Sequence, residues 1–346
     1  MVPVLDSNKQ PLMPCSEKRA RKLMEKGEAK AYWQKGIFCI KLIKEPSNRA
    51  YQPVALGIDP GSKREGYTVL TEKNVVLNIT TNTPDWVKEK MDTRRNLRRS
   101  RRYRKTPYRK CRWNRSSLRN TDRLTPSTKA RWGAKLRITK QLLAILPITN
   151  INVEDIKAIS KEDKATWNKS FSPLEVGKRW FYCELKLLGI DLKKTEGYDT
   201  KKHRDEREFP KGKDKLAYAW SAHNSDSHSL AELALNVLVK PFLGLHRIDF
   251  LKHYRRQLHI QQPEKNNLRR RHGTTVSMGM SKGSVVNYKG RLVYLGGASN
   301  ERVSIHNILT GQRMSKHARI SDIRVMYITK QRTQFISTFS KVKPVC

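Results

Sequence analysis

Four side chains spread along the sequence have the types that phosphodiester hydrolysis requires: Asp59, Glu154, His223 and Asp226. Three are carboxylates, hard oxygen donors suited to magnesium. The fourth is an imidazole that titrates near neutrality. Two divalent ions about 3.5–4 Å apart, one activating water and one stabilising the leaving 3′ oxygen, need such a set with one carboxylate bridging. His223 would orient or deprotonate the water. Each residue has a duller reading on its own. Asp59-Pro60-Gly61 is a turn sequence, Glu154 a surface acid at a strand end, Asp226 part of a polar helix face and His223 a satisfied, half-buried histidine. Only convergence makes them a site, so the elements that carry them decide.

Val54–Asp59 reads as a short buried strand that delivers one acid to its carboxyl end, where Pro60-Gly61-Ser62 turns the chain. Residues 66–70 and 74–80 read as a second and a third strand. A helix over Pro126–Leu146 precedes a fourth strand, Ile148–Ile156, with Glu154 near its end. Lys213–Val239 reads as a late helix with His223 and Asp226 three residues apart on one face. This is the element order of a ribonuclease H-like α/β fold, which would bring the four residues to one edge of the sheet.

The charge points to a polyanion. The 346-residue chain carries 72 Lys+Arg against 31 Asp+Glu, a formal net charge of +41. A compact protein bears such self-repulsion when nucleic acid meets it. A membrane surface is the competing polyanion, but no apolar run approaches the roughly 20 residues of a spanning helix. The N-terminus is polar by Asp6, unlike a signal peptide. The five cysteines (Cys15, Cys39, Cys111, Cys183 and Cys346) are scattered and form no C-x-x-C pair, which fits a reducing cytoplasm and not a disulfide framework or zinc ribbon.

The charge is concentrated after Asp85-Trp86-Val87-Lys88, where a helix opens. Arg94, Arg95, Arg98, Arg99, Arg101, Arg102, Arg104 and Lys105 cannot share one face at 3.6 residues per turn, so they surround it. Only Leu97 and Tyr103 are left to pack on protein. Guanidinium suits phosphate bidentately. After Pro107, Arg109 and Arg112 alternate with Tyr108 and Trp113, a pattern suited to base stacking beside backbone contacts. A disordered basic tail is the plainer reading, but such a tail seldom lies between two strand-rich blocks.

The remaining segments say less. Residues 1–50 read as a small α+β unit: an edge strand over Val2–Leu5, an extended Pro11–Cys15, a helix capped by Ser16 and stopped by Gly27, and a strand from Ala31 to Ile43. Its lysines fit a docking piece or a solvated helix face. Leu174–Leu188 reads as helix. Residues 197–201, with Arg204, read as a loop able to touch a backbone phosphate. Beyond residue 246, after the basic runs Arg255-Arg256 and Arg269–Arg271, short strands at 285–288, 291–295, 303–309 and 323–329 with glycine turns suggest a small β-barrel. Such a barrel could read a duplex or cap the structure.

Three of these motifs resemble a known family. Gly57-Ile58-Asp59-Pro60-Gly61-Ser62, Val153-Glu154-Asp155-Ile156 and His223-x-x-Asp226 are similar to the three split motifs of a RuvC nuclease domain. The arginine segment resembles the bridge helix of CRISPR effector nucleases and their transposon-encoded relatives. Pro11-Leu12-Met13-Pro14 resembles the signature that names the N-terminal domain of IscB and IsrB proteins. Between Asp155 and Ala222 there is one histidine, His203, and one cysteine, Cys183, too few for an HNH site, so the resemblance is to IsrB, which lacks that nuclease. It implies an N-terminal PLMP domain over 1–50; RuvC parts over 51–91, 121–160 and 213–245; a bridge helix over 92–120; a connector over 161–212; and a C-terminal domain over 246–346 that meets a motif flanking the target. It also implies a magnesium-dependent, guide (omega) RNA-directed nickase of the displaced DNA strand. Two Mg2+ ions, or Mn2+ in their place, would be held by Asp59, Glu154 and Asp226 in a monomeric prokaryotic ribonucleoprotein of the cytoplasm. Two other readings stand beside it. One is a Holliday-junction resolvase of the same fold; the other is an RNA-binding protein with a decayed core.

Overall fold

The structure is a computed structural model, which describes residues 1–34, 37–105, 124–155, 173–252, 276–299, 301–308, 310–327 and 333–341. The N-terminal sheet comprises β1 (Val2–Leu5), β2 (Pro11–Cys15), β3 (Ala29–Gln34) and β4 (Ile37–Leu42), with α1 (Glu17–Glu25) between β2 and β3. Ser16 caps α1 by accepting the Arg19 N–H, and Gly27 follows it at φ +69°. β1 is not at the edge. Its four residues are all buried, and it lies between antiparallel β2 and parallel β4. The single strand expected over Ala31–Ile43 is two, β3 and β4.

Asp6 fastens the β1–β2 turn. Its side chain is fully buried; Oδ1 accepts the Gln10 and Asn8 N–H groups at 2.7 and 2.9 Å, and Oδ2 accepts Arg49 Nη2 at 2.7 Å. Burial raises its pKa, but those donors outweigh burial and hold it below the usual aspartate value. Because the folded value is depressed, the stabilisation is present above the unfolded value near 3.8 and is lost as pH falls through the folded one. Asp6→Ala is expected to cost about 2 kcal/mol near neutral pH, read from the urea midpoint, and the gap to wild type should narrow below about pH 4.

Two compact units divide the chain. One takes in residues 1–32, 39–247 and 339–346; the other takes in 33–38 and 248–338. The first is built around β5 (Val54–Asp59), β6 (Arg64–Thr71) and β7 (Val75–Asn82), antiparallel neighbours in register with Asp59 opposite Gly66. These strands are buried on both faces; β5 reads as a nearly continuous apolar run, whereas β6 and β7 also bury polar side chains such as Thr68 and Asn78. α2 (Val87–Lys105) and α3 (Pro126–Leu143) follow, then β8 (Asn150–Glu154), α4 (Pro173–Lys186), β9 (Asp191–Thr195), α5 (Gly197–Glu206) and α6 (Ser225–Leu235). β8 adds parallel to β5 and β9 parallel to β8, giving the order β7-β6-β5-β8-β9. The expected strand end at Ile156 lies outside the described residues.

Two expectations change here. Residues 197–206 are helix α5, not a loop. The helix expected over Lys213–Val239 is shorter. Residues 213–219 are irregular, Trp220–Asn224 form one π-helical turn, and α6 then runs only to Leu235. Asp214 Oδ1 accepts the Leu216 N–H at 2.7 Å, a local turn that competes with helix, and Asn236 at φ +54° ends α6.

β10 (Gly244–Lys252) joins the sheet beside β7, and the last strand, β18 (Thr333–Lys341), lies beyond β10. Two short strands, β11 (Val276–Ser277) and β12 (Met280–Ser281), precede a five-stranded sheet in the second unit. Its strands are β13 (Val285–Tyr288), β14 (Arg291–Ser299), β15 (Arg302–Asn307), β16 (Arg313–Arg319) and β17 (Ile323–Tyr327), in the antiparallel order β16-β15-β14-β13-β17. Lys289 and Gly290, both at positive φ, make the β13–β14 turn. Val286, Val293, Leu295, Val303, Ile305 and Ala318 form its core. Among the described residues this sheet is open, without a pair closing it into the expected barrel, and β16 is a strand the sequence did not suggest. Arg255, Arg256 and Arg269–Arg271 lie outside the described residues.

Candidate active site

The sheet sets two of the four residues side by side. Ile58 pairs with Val153 in the parallel β5–β8 ladder, so Asp59 and Glu154 leave the carboxyl ends of neighbouring strands. The π turn and the first turn of α6 bring His223 and Asp226 to the same end. Asp59, His223 and Asp226 line one cleft of about 530 Å³ with Lys63, Lys211 and Lys215. Glu154 is close enough to donate a hydrogen bond to Asp59 and to feel the charge of Asp226. All four residues named from the sequence therefore converge.

α6 reaches that position through polar groups. Gly57 allows its backbone to lie directly on β5. Asn224 donates to the Tyr67 and Ile79 carbonyls, both at 3.1 Å, and accepts Thr80 Oγ1 at 2.7 Å. Ser227 and Thr68 hydroxyls meet at 2.8 Å, and Asn152 Nδ2 donates to the Leu230 carbonyl at 2.8 Å. Buried polar groups so satisfied fix one register, which an apolar contact would not. Beneath β6, Glu65 is fully buried between Lys135 and Tyr67, whose hydroxyl donates at 2.6 Å; burial first, against Lys135, pushes its pKa up.

The two aspartates each have cationic or histidine partners. His223 Nδ1 is 2.9 Å from Asp59 Oδ2, and Nε2 is 3.0 Å from the Lys215 carbonyl. Both partners accept, so both ring nitrogens carry hydrogen. Burial lowers the His223 pKa, and the hydrogen bond and charge of Asp59 more than reverse this. This arrangement favours the protonated imidazole. Burial, followed by the charges of Asp59 and Asp226, pushes Glu154 up to about 8, which keeps it protonated at neutral pH. Asp226 Oδ1 accepts Arg204 Nη1 at 2.7 Å, while Lys211 Nζ pairs with Oδ2. Arg204 is thus an ion-pair partner inside the site and not the phosphate contact expected. Lys211 was not singled out from the sequence; its signal was the basic run Lys211, Lys213, Lys215 just before His223.

Among the described residues, no three His, Cys, Asp or Glu side chains have their donor atoms around a common point. The donor chemistry nevertheless fits a hard divalent cation. Burial, then the charges of Asp59 and Asp226, raises the Glu154 pKa, and a divalent ion there would relieve that repulsion. Asp59, Glu154 and Asp226 are the residues that would hold it.

α2 is the other candidate. Among its described residues none is buried. Arg94, Arg95, Arg98, Arg99, Arg101, Arg102 and Arg104 are exposed; only Val87, Asp92 and Leu97 are half-buried. Tyr103 is 71% exposed and does not pack on protein as expected. Arg95 pairs with Asp92 at 3.3 Å and Lys90 with Glu89 at 3.5 Å, and the arginines from Arg94 to Arg104 are solvent-exposed. The Lys105 side chain, Arg109 and Arg112 lie outside what is described.

A family model described as RRXRR protein matches residues 2–167. The pattern that its name spells stands in α2 as Arg98-Arg99-Ser100-Arg101-Arg102. No curated protein matches the chain. Among solved structures, T. thermophilus RuvC in complex with Holliday junction substrate is 12% identical with a TM-score of 0.30, over 51% of this chain and 90% of that one. A likeness of that size adds no weight to any function.

Proposed function

We propose that this chain is an RNA-guided DNA nickase of the cytoplasm: a guide RNA held by α2 and the segment after it pairs with one target strand, and the Asp59–Glu154–His223–Asp226 cleft hydrolyses the displaced strand. The observation that carries the reading is the meeting of these four side chains, drawn from β5, β8, the π turn and α6, at one sheet edge. The exposed guanidinium shell of α2 supports the RNA half, because a helix without a buried face gains its order from a polyanion. The reading includes Mg2+ as cofactor, a flanking motif read by the second unit, and one chain per ribonucleoprotein.

Divalent ions, when bound, would supply Lewis-acid stabilisation of charge developing on the phosphate oxygens. The protein's own groups do the rest. Asp59 orients the imidazole through Nδ1. Release of Nε2 from the Lys215 carbonyl would let His223 pass its proton to the leaving oxygen or, once neutral, take one from water. Lys63 and Lys215 line the cleft as phosphate partners.

The test is nicking of supercoiled plasmid by the purified chain with its copurifying RNA and Mg2+. Wild type is expected to nick one strand, and Asp59→Ala to lower the rate at least 10³-fold. Equal nicking by Asp59→Ala would sink the reading. Guide-independent cutting of four-way junctions would replace it with a resolvase, and RNA binding without any cleavage with a binding protein.

A further inference from the structure

We infer that Lys211 is an exchangeable counter-cation that occupies Asp226 until a divalent ion takes its place, and that it thereby sets the metal affinity of the cleft. The inference rests on the metal-site reading above and deepens it. Asp226 meets two cations of different kinds. Arg204 is anchored: its side chain is 11% exposed, it projects from α5, and its other terminal nitrogen holds Asp205 at 3.1 Å. Lys211 is not anchored in this way. It sits on the irregular stretch between α5 and the π turn, its side chain is 33% exposed, and beyond Asp226 Oδ2 it donates to the Ala222 carbonyl at 3.0 Å.

The two differ chemically as well. A guanidinium holds a carboxylate with a planar fork, whereas an ammonium is a compact charge on a flexible four-carbon stem, strongly hydrated and readily moved. A divalent ion that takes Oδ2 must displace the ammonium and can leave the guanidinium on Oδ1. The displaced amine stays within a cleft it already lines with Lys63 and Lys215. A phosphate entering there is the acceptor its charge would next find. Substrate and metal would then each favour the other, since each removes Lys211 from Asp226.

The experiment is Mn2+ binding to the full-length chain, followed by the electron paramagnetic resonance signal of free Mn2+. Lys211→Met is expected to tighten binding about tenfold, a coupling of ordinary size. Lys63→Met removes the same charge from the same cleft and is expected to change binding less than about threefold, because screened, non-contacting charges couple weakly. Lys211→Gln, which keeps a donor for the Ala222 carbonyl, should follow Lys211→Met and serves if the methionine variant does not fold. Asp226→Asn should weaken binding at least about tenfold with either residue at 211. Equal effects of the two methionine variants, or none from Lys211→Met and Lys211→Gln, would overturn the Lys211 assignment while leaving the metal site standing. No saturable Mn2+ binding in wild type or in either variant at 211 would remove the metal reading itself, and this inference with it.

Discussion

Gly57→Ala is expected to destabilise the chain by at least about 3 kcal/mol and to dissolve the candidate site with it. A Cβ at Gly57 would lie 1.9 Å from the Ser227 carbonyl oxygen and 2.7 Å from the Ala231 nitrogen. Both are backbone atoms of α6, so no side-chain rotation relieves the clash. The helix must lift as a body, and the hydrogen bonds between Ser227 and Thr68 and from Asn152 Nδ2 to the Leu230 carbonyl go with it. α6 carries Asp226, and the π turn before it carries His223. Loss of their placement should appear as lost near-ultraviolet circular dichroism together with a lowered urea midpoint. Gly133→Ala is the control. Gly133 lies inside α3 with nothing within 4 Å of the added carbon, so alanine there should be neutral or stabilising by up to about 1 kcal/mol. If both variants lose stability equally, the close approach of α6 to β5 is not what Gly57 serves.

That close approach also explains what the sequence showed and what it hid. β5 was legible because burial on both faces leaves a nearly unbroken apolar run, and β6 and β7 because strand-forming valine, isoleucine, leucine and threonine recur through them. Asp59 was legible because it closes the apolar run of β5, and Glu154 because it ends a strand in which Ile151 and Val153 alternate with asparagine. The span of α6 was not. A reader of apolar periodicity looks for leucines on the buried face, yet this helix buries Ser225, Ser227, His228 and Ser229. Small polar residues let the backbone come near and satisfy it by hydrogen bonds, so the 3.6-residue apolar signal is absent where packing is tightest. The π turn shifts the helical phase between His223 and Asp226, and spacing rules for an ordinary helix do not contain it. Arg204 was visible as a base and misassigned, because sequence shows charge without its partner. Its partner, Asp226, is brought near only by the packing of α5 on α6. α2 is the reverse case: eight cations within twelve residues, 94–105, allow no buried face whatever the fold.

Glu154→Gln should separate the site's two states. Without metal, wild-type stability is expected to fall as pH rises from about 5 to 8. Glu154 is raised from 4.5 to about 8 by burial and by the charges of Asp59 and Asp226, so the folded chain holds a proton that the unfolded chain gives up. For an acid raised in this way, the stability is whole below the unfolded value and is lost as pH climbs through the folded one. Glutamine keeps the shape and a donor toward Asp59 but does not titrate. In EDTA the variant should therefore be less sensitive to pH and more stable than wild type by more than about 1 kcal/mol at pH 8. A residual slope should persist from His223, a base whose pKa is also raised and whose contribution is lost in the same direction. Mg2+ should invert the order. A ligand that binds only the folded chain stabilises it by RT ln(1 + [L]/Kd), and the wild type offers a third carboxylate where the variant offers an amide. Melting temperatures across that pH range, in EDTA and in Mg2+, test both halves. A flat wild-type profile in EDTA would mean that Glu154 is not part of a crowded acid cluster. A Mg2+ response equal in both chains would mean that Glu154 does not hold the ion.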